Sequence, residues 1–145
     1  MFKHLLLPTD GSELSEGAIR KGIEMAKAVG AKVTGVYVIP EFHIFTYRTE
    51  MLEDTREQYA KDTQAHAAQY LQVIETAAKE AGVGCSTVDA RDDHPYAAII
   101  RIAEERGCDL IVMASHGRRG LQGVLLGSET QKVLTHARIP VLVCR

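Results

Sequence analysis

The chain has 145 residues, of which 46% are hydrophobic and 25% are charged, and this fits one ordinary globular domain over residues 1–145. The formal net charge of −2 gives no reason to expect nucleic acid or an anionic membrane as a partner. No apolar run approaches the roughly 18 residues of a membrane-spanning helix, so we expect no membrane partner of that kind either.

The start of the chain and its cysteines indicate a cytoplasmic protein. Residues 1–4 lead directly into an apolar run, and we expect no signal peptide. Three cysteines, an odd number, lie in or beside predicted strands at Cys85, Cys108 and Cys144. We interpret them as reduced, mostly buried hydrophobic residues rather than disulfide partners.

The first half of the chain alternates apolar runs with segments of helical periodicity. Residues 5–7 predict a buried strand, and residues 12–30 predict a helix that ends at Gly30. The valine-rich stretch 31–39 predicts a second strand. The remaining predicted elements of this half are a loop at 40–50, a helix over 51–81 and a weaker edge strand over 83–90. We interpret the aromatic residues of the loop as a cover for the core, with a mobile lid as the alternative; they are Phe42, Phe45 and Tyr47.

The second half repeats this alternation. A third helix begins at 92–95, with Pro95 in its first turn, and Gly107 ends it. Residues 110–113 form an apolar run without polar alternation, which is typical of a parallel strand covered on both faces. A helix over 128–136 and a strand over 140–144 follow. The pattern predicts an α/β fold with an open five-stranded parallel sheet, helices on both faces and right-handed crossovers.

A glycine-rich turn and a helix start follow the fourth predicted strand. The turn reads Ser-His-Gly-Arg-Arg-Gly over 115–120, and Gly127 precedes the last helix. Glycines let backbone N–H groups approach a phosphate, and a helix start adds unsatisfied donors and a partial positive charge. We expect Ser128 to cap this helix and Gln131 to close a capping box. The segment therefore predicts a phosphate site, in which the two arginines add charged donors.

The same segment resembles the nucleotide-binding motif of the universal stress protein family, G-x2-G-x9-G-[S/T]. Gly117, the nine residues after it and Gly127-Ser128 match the second glycine, the spacer, the third glycine and the hydroxyl residue. Ala114 stands where the family has its first glycine, and we expect its methyl group to narrow the site without abolishing it. The resemblance covers the whole chain. It implies a Rossmann-like fold of the adenine nucleotide alpha hydrolase type.

With the strand order 3-2-1-4-5, the ends of the first and fourth strands are neighbours where the order reverses, and ligands of open α/β sheets bind at that point. Asp10 would then face the Gly117 turn across a crevice about one nucleotide wide. The resemblance implies ATP, AMP or ADP as the ligand, with Mg²⁺ arriving on the phosphates. It places Thr9 and Asp10 near the nucleoside and the backbone of Val38 near the base.

The resemblance also implies which residues hold the phosphates, namely Gly117, Arg118, Gly127, Ser128 and Glu129. The full set of predicted nucleotide-binding residues is Pro8, Thr9, Asp10, Val38, Met113, Ala114, His116, Gly117, Arg118, Arg119, Gly120, Gly127, Ser128, Glu129 and Thr130.

Several of these residues have a structural alternative. Asp10 could serve only as a turn residue before Ser12, and Gly120 and Gly123 could only form the loop. The arginines could belong to a solvated turn. His116 has no serine or carboxylate partner at a catalytic spacing, so we predict no catalytic residue. The other histidines show no metal-ligand spacing, and we expect no metal site built from side chains alone.

The resemblance implies a stress-response regulator or sensor that binds an adenine nucleotide. Hydrolysis would be slow at most, because no general base or arginine finger is evident. An interaction module that no longer binds nucleotide is one alternative, and an ATP-pyrophosphatase-type enzyme is another that the short chain disfavours. In the family, the strand that matches 140–144 pairs across a two-fold axis. We therefore expect a homodimer through Val141, Leu142 and Val143, and an unidentified protein partner.

Overall fold

A computed structural model describes residues 1–41, 49–118, 120 and 125–145, of which 49–54 are described by their backbone alone. Strands and helices alternate along the chain as β1 (His4–Thr9), α1 (Glu13–Val29), β2 (Lys32–Ile39), α2 (Thr49–Ala81), β3 (Cys85–Arg91), α3 (Pro95–Glu105), β4 (Leu110–Ala114), α4 (Ser128–His136) and β5 (Val141–Cys144). The predicted alternation and its helix ends are confirmed. The aromatic residues Phe42, Phe45 and Tyr47, and likewise Arg119 and Gly123, lie outside the described residues.

The five strands form one parallel sheet in the order β3-β2-β1-β4-β5, which confirms the predicted order and the edge position of β3. In the register between β1 and β2, His4 pairs with Lys32 and Thr9 pairs with Tyr37. Between β1 and β4, Leu5 pairs with Leu110. The chain therefore leaves β1 and β4 side by side at the carboxyl ends of the strands.

The apolar runs are continuous because helices cover both faces of the sheet. Leu5 and Leu7 belong to a buried cluster with residues of α1 and α2, while Leu6 belongs to a second cluster with residues of α3 and α4. All three side chains are fully buried. The absence of polar alternation in the first strand is thus a consequence of two-sided burial.

A row of polar side chains crosses the sheet near the amino ends of the strands. His4 Nε2 lies 2.7 Å from Thr34 Oγ1, and Thr34 Oγ1 lies 2.9 Å from Ser86 Oγ. His4 and Thr34 are buried, and each therefore needs the partner that the other supplies. Burial lowers the pKa of His4, and the nearby Lys32 lowers it further. The row joins β1, β2 and β3 through neutral groups.

The start of α4 differs from the prediction. Gly127, not Ser128, is the N-cap: its backbone is extended, with φ −67° and ψ 156°, and its carbonyl accepts the N–H of Gln131 at 3.0 Å. The Gln131 side chain donates instead to the carbonyl of Leu126 at 3.0 Å. The predicted capping box is therefore wrong, because Ser128 already lies inside the helix, one position too late for its hydroxyl to cap. By contrast, Ser12 caps α1 by accepting the N–H of Ser15 at 3.2 Å.

Among the described helices, none is both long enough and apolar enough to cross a membrane. The cysteines of the described residues are free, with Cys108 and Cys144 buried and Cys85 exposed.

Candidate functional site

The residues after β1 and those after β4 meet at the carboxyl edge of the sheet. The main-chain N–H of Arg118 donates to Asp10 Oδ2 at 2.8 Å, and Arg118 Nε donates to the Asp10 carbonyl at 3.1 Å. These two residues are 108 positions apart in the sequence. The predicted neighbourhood of Asp10 and the glycine turn is confirmed.

The predicted crevice does not lie between Asp10 and the described residues Gly117 and Arg118, because these are in direct contact. Gly117 permits this closeness: a Cβ at Gly117 would overlap Asp10 Oδ2. Neither Gly117 nor Gly127 has a positive φ, so these two motif glycines are required for close approach rather than for an unusual backbone conformation. A nucleotide that enters between Asp10 and the turn has to displace this contact.

The Asp10 carboxylate is held from two sides. Its Oδ1 accepts the N–H of Ser12 at 2.9 Å, while Oδ2 accepts from Arg118. Burial alone would raise the pKa of Asp10, but the hydrogen bonds from Ser12 and Arg118 outweigh it, and the pKa lies below its ordinary value. Asp10 is therefore an anion at neutral pH, and it already has donors of its own.

The turn after β1 is built by short polar contacts. Thr9 Oγ1 accepts the N–H of Gly11 at 3.1 Å and lies 3.3 Å from Ser15 Oγ. Gly11 has φ 79°, a left-handed conformation that favours glycine. Pro8 precedes this turn inside β1, where it is buried opposite Val36. Thr9 thus shapes the turn that presents Asp10, and its hydroxyl is engaged within it.

The glycine turn is closed by its own backbone. Gly127 N donates to the Ser115 carbonyl at 2.7 Å, and Gly120 N donates to the Gly117 carbonyl at 3.1 Å. A Cβ at Gly127 would lie 3.3 Å from both His116 Cα and Ser115 O, which is closer than a side chain ordinarily fits. The start of α4 is consequently fixed against Ser115 and His116.

The first turn of α4 offers backbone donors rather than side chains. The N–H groups of Ser128, Glu129 and Thr130 have no carbonyl within the helix to bind. Thr130 Oγ1 donates to the Ala114 carbonyl at 3.0 Å, and the Glu129 carboxylate accepts the N–H of Tyr96 at 2.9 Å. The side chains of Glu129 and Thr130 therefore anchor α4 to α3 and to β4, and only their N–H groups are placed to hold an anion.

Sequence reasoning missed two aromatic residues beside Asp10. The Tyr70 hydroxyl accepts a hydrogen bond from Arg118 Nη2, and the Arg118 guanidinium lies 5.2 Å from the centre of the Tyr70 ring. The rings of Tyr70 and Tyr37 are 5.3 Å apart. Because Tyr37 pairs with Thr9 at the end of β2, strand register could have located it.

The remaining predicted residues lie around this centre. Val38 follows Tyr37, and its side chain packs on the α3 side, as does that of buried Met113. His116 Nδ1 lies 3.0 Å from Ser115 Oγ, while its Nε2 is buried and has no hydrogen-bond partner among the described residues. Because the Val38 side chain packs toward α3, Val38 is placed to contact a ligand only through its main chain.

No group of three or more histidine, cysteine or acidic side chains within the described part of the chain is placed to hold a metal ion. Two shallow depressions lie along α2, one of them lined by Ala68, Gln72 and Val73, and neither includes a residue of the predicted site.

Comparison with known proteins assigns the family. The family model described as the universal stress protein family matches residues 1–145. The chain belongs to the universal stress protein family. Universal stress protein MJ0531 of Methanocaldococcus jannaschii is 31% identical over 145 residues, a match that covers 100% of this chain and 83% of that protein.

Solved universal stress protein structures share the fold. MJ0577 of the same organism superposes with a TM-score of 0.80 at 29% identity, over 99% of this chain and 95% of that chain. A universal stress protein in complex with cAMP gives a TM-score of 0.73 at 22% identity, over 99% of this chain and 97% of that chain. The similarity to the cAMP complex shows that the two proteins have the same fold. The predicted family and fold class are confirmed.

Proposed function

We propose that this universal stress protein binds an adenine nucleotide at the carboxyl ends of β1 and β4. One observation carries the proposal: the Gly117-Arg118 turn and the start of α4 lie together beside Asp10, where the strand order reverses. Backbone donors, a guanidinium and a helix start converge there, which is the chemistry that an anionic phosphate requires. A universal stress protein with the same fold holds cAMP, which supports an adenine nucleotide as the ligand class.

The proposed division of labour follows from the contacts. The N–H groups of Ser128, Glu129 and Thr130 and the Arg118 side chain hold the phosphates, and Mg²⁺ arrives with them. Thr9 and Asp10 lie on the nucleoside side, with the backbone of Val38 toward the base. Gly117 and Gly127 serve by allowing close approach, since a Cβ at either would press on Asp10 or on the backbone at 115–116. ATP, ADP and AMP all present this combination of base and phosphate.

The proposed cellular role is that of a cytoplasmic stress-response regulator or sensor that acts as a homodimer, with a further protein partner. The Asp10 carboxylate already accepts hydrogen bonds from Ser12 and Arg118, and the Nε2 atom of His116 is buried, so hydrolysis would be slow at most. Dimerisation is proposed at β5, an edge strand whose outward-facing Leu142 is 42% exposed. Unpaired strand edges favour pairing with another chain.

Two measurements test nucleotide binding. Mass spectrometry of the purified protein identifies any nucleotide that co-purifies with it, and calorimetry with ATP and Mg²⁺ gives the affinity. Gly127→Val should weaken ATP binding about 100-fold or more, because the displaced start of α4 loses two or three phosphate hydrogen bonds of about 1.5–3 kcal/mol each. Gly84→Val is the matched control, since a Cβ there meets only Lys32 Cβ at 3.6 Å. A folded Gly127→Val protein that binds ATP within about threefold of the wild type would contradict the proposal.

One observation favours a second candidate, an interaction module without nucleotide. The contact between Asp10 and Arg118, together with the Tyr70 ring, occupies the side of the site to which we assign the nucleoside, and Ala114 stands at the first glycine position of the motif. In that case no nucleotide co-purifies, calorimetry detects no ATP binding, and the dimer persists. A phosphate-release assay separates slow hydrolysis from simple binding.

A further inference from the structure

Tyr70 covers the nucleoside side of the proposed site. Its ring lies so close to Gly11 that a Cβ at Gly11 would overlap ring atoms Cε1 and Cζ. The ring of Tyr37 flanks it at 5.3 Å with an interplanar angle of 58°. The aromatic pair therefore lies over the turn at which the chain leaves β1, directly beside Asp10.

Arg118 fixes Tyr70 in this position. Its guanidinium lies 5.2 Å from the ring centre, donates through Nη2 to the Tyr70 hydroxyl and donates through Nε to the Asp10 carbonyl. Within the described residues, these two acceptors are uncharged, and no carboxylate is close enough to pair with the guanidinium. Among the residues that the structure describes, the Arg118 guanidinium is thus held by neutral partners alone.

A phosphate at the start of α4 would offer Arg118 a better partner. The start of α4 is close to the residue before Arg118, since a Cβ at Gly127 would lie 3.9 Å from Gly117 N. Hydrogen bonds between a guanidinium and a phosphate are roughly twice as strong as those to neutral acceptors, and they are often bidentate. An arriving phosphate therefore draws Arg118 away from the Tyr70 hydroxyl.

We propose that Tyr70 and Arg118 make the site select nucleotides, which carry a phosphate, against nucleosides. The inference rests on the proposed nucleotide function. A nucleoside must displace the Tyr70–Arg118 pair, and it has no phosphate that the Arg118 guanidinium could bind instead. A nucleotide displaces the same pair and supplies the phosphate that binds Arg118. Tyr70 and Arg118 are accordingly specificity-determining residues of one site.

The proposal predicts opposite effects of one substitution on two ligands. A ligand binds only those molecules in which the Tyr70–Arg118 pair is open. Its apparent affinity is therefore the intrinsic affinity multiplied by the open fraction. Arg118→Met removes both the hydrogen bond to the Tyr70 hydroxyl, which keeps the pair closed, and the contact with the phosphate. Adenosine should then bind about fivefold more tightly, which corresponds to one lost hydrogen bond, while ATP should bind about tenfold or more weakly. A residue that only contacts phosphate would leave adenosine unchanged, and a residue that only supports the fold would weaken both ligands.

Tyr70→Phe keeps the ring but loses the hydroxyl that Arg118 binds. This substitution should increase the affinities for ATP and for adenosine by the same factor, about threefold to fivefold, because Arg118 can still bind the phosphate. Tyr59→Phe is the control: it removes a phenolic hydroxyl from the same helix, one that donates to the Pro40 carbonyl at 2.9 Å. That substitution should leave the ratio of the two affinities unchanged.

The experiment is calorimetry of the full chain with ATP and, separately, with adenosine, for the wild type and the three variants. Tighter adenosine binding together with weaker ATP binding in Arg118→Met supports the proposal. Adenosine binding that is unchanged, weaker or undetectable in both Arg118→Met and Tyr70→Phe overturns it. If Arg118→Met does not fold, Tyr70→Phe decides alone. A wild-type protein that binds neither ATP nor AMP refutes the proposed function itself, whereas ATP binding with the wrong response in the variants refutes the selectivity alone.

Discussion

The contact between Gly117 and Asp10 predicts a stability coupling that requires no ligand. Gly117→Ala places a Cβ against Asp10 Oδ2, and the carboxylate must turn away. Doing so breaks the hydrogen bond that Oδ2 accepts from Arg118 N at 2.8 Å. In an Asp10→Ala background the carboxylate is absent, so the same substitution at Gly117 meets no obstacle.

The size of the effect follows from that single hydrogen bond. A hydrogen bond to a charged group contributes about 1.5–3 kcal/mol, and the lower value applies here because Arg118 is exposed. Replacing glycine by alanine also restricts the unfolded chain, which stabilises the protein by about 0.5 kcal/mol where the backbone conformation is compatible. Gly117→Ala should therefore destabilise the wild type by about 1 kcal/mol and stabilise the Asp10→Ala protein by about 0.5 kcal/mol. The coupling energy between the two positions should be about 1.5 kcal/mol.

Urea unfolding of the four proteins of this cycle, followed by circular dichroism, measures the coupling. Gly84→Ala in both backgrounds controls for the general effect of replacing a glycine. A coupling below about 0.3 kcal/mol, the ordinary error of additivity, would refute the contact and with it the steric role of the motif glycine.

The other predictions concern parts of the fold away from this contact. Gly17→Ala in α1 should raise the unfolding free energy by about 0.5–1 kcal/mol, measured in urea, because alanine favours the helix and its Cβ meets only Arg20 Nη2 at 3.9 Å; no gain would show that this position is constrained in some other way. Because burial lowers the pKa of His4 in the folded state, the unfolded chain binds more protons below about pH 6.5, and stability should fall as the pH drops through that value. His4→Gln should flatten this acid limb of the stability curve, and an unchanged limb would assign it to other groups. Val141→Lys should convert the proposed dimer to a monomer in sedimentation while Val73→Lys, on α2, should not; a monomeric wild type would exclude the β5 interface.

Local sequence patterns predicted the elements of this fold well. Apolar runs such as 110–113 and the glycines that follow helices, among them Gly30 and Gly107, act over a few residues and depend little on distant contacts. The same patterns placed the turn after β4 beside the end of β1 once the strand order was assumed. That order had to be assumed, since alternation alone fixes the handedness of crossovers but not the order of strands in the sheet.

The details of the candidate site were harder to predict because they depend on long-range contacts. Nothing near Asp10 in the sequence indicates that its carboxylate binds the N–H of Arg118. Tyr70 has the helical spacing of buried Ala67 and Ile74, and that spacing gives no sign that its hydroxyl binds Arg118 at the edge of the sheet. The cap of α4 shifted by one residue because the extended backbone at Gly127 is fixed by its bond to Ser115.

The polar row at the other end of the sheet determines the alignment at which these residues meet. Strands as apolar as β1 and β2 could slide past one another by two residues and still bury hydrophobic side chains on both faces. Such a slip would move Thr34 away from His4 and leave one nitrogen of a buried imidazole without a partner, at a cost of about 1–3 kcal/mol. The hydrogen bond between His4 and Thr34 thus favours the register in which Thr9, about five residues after His4 in β1, pairs with Tyr37 of β2. A different register would move Tyr37 away from Tyr70.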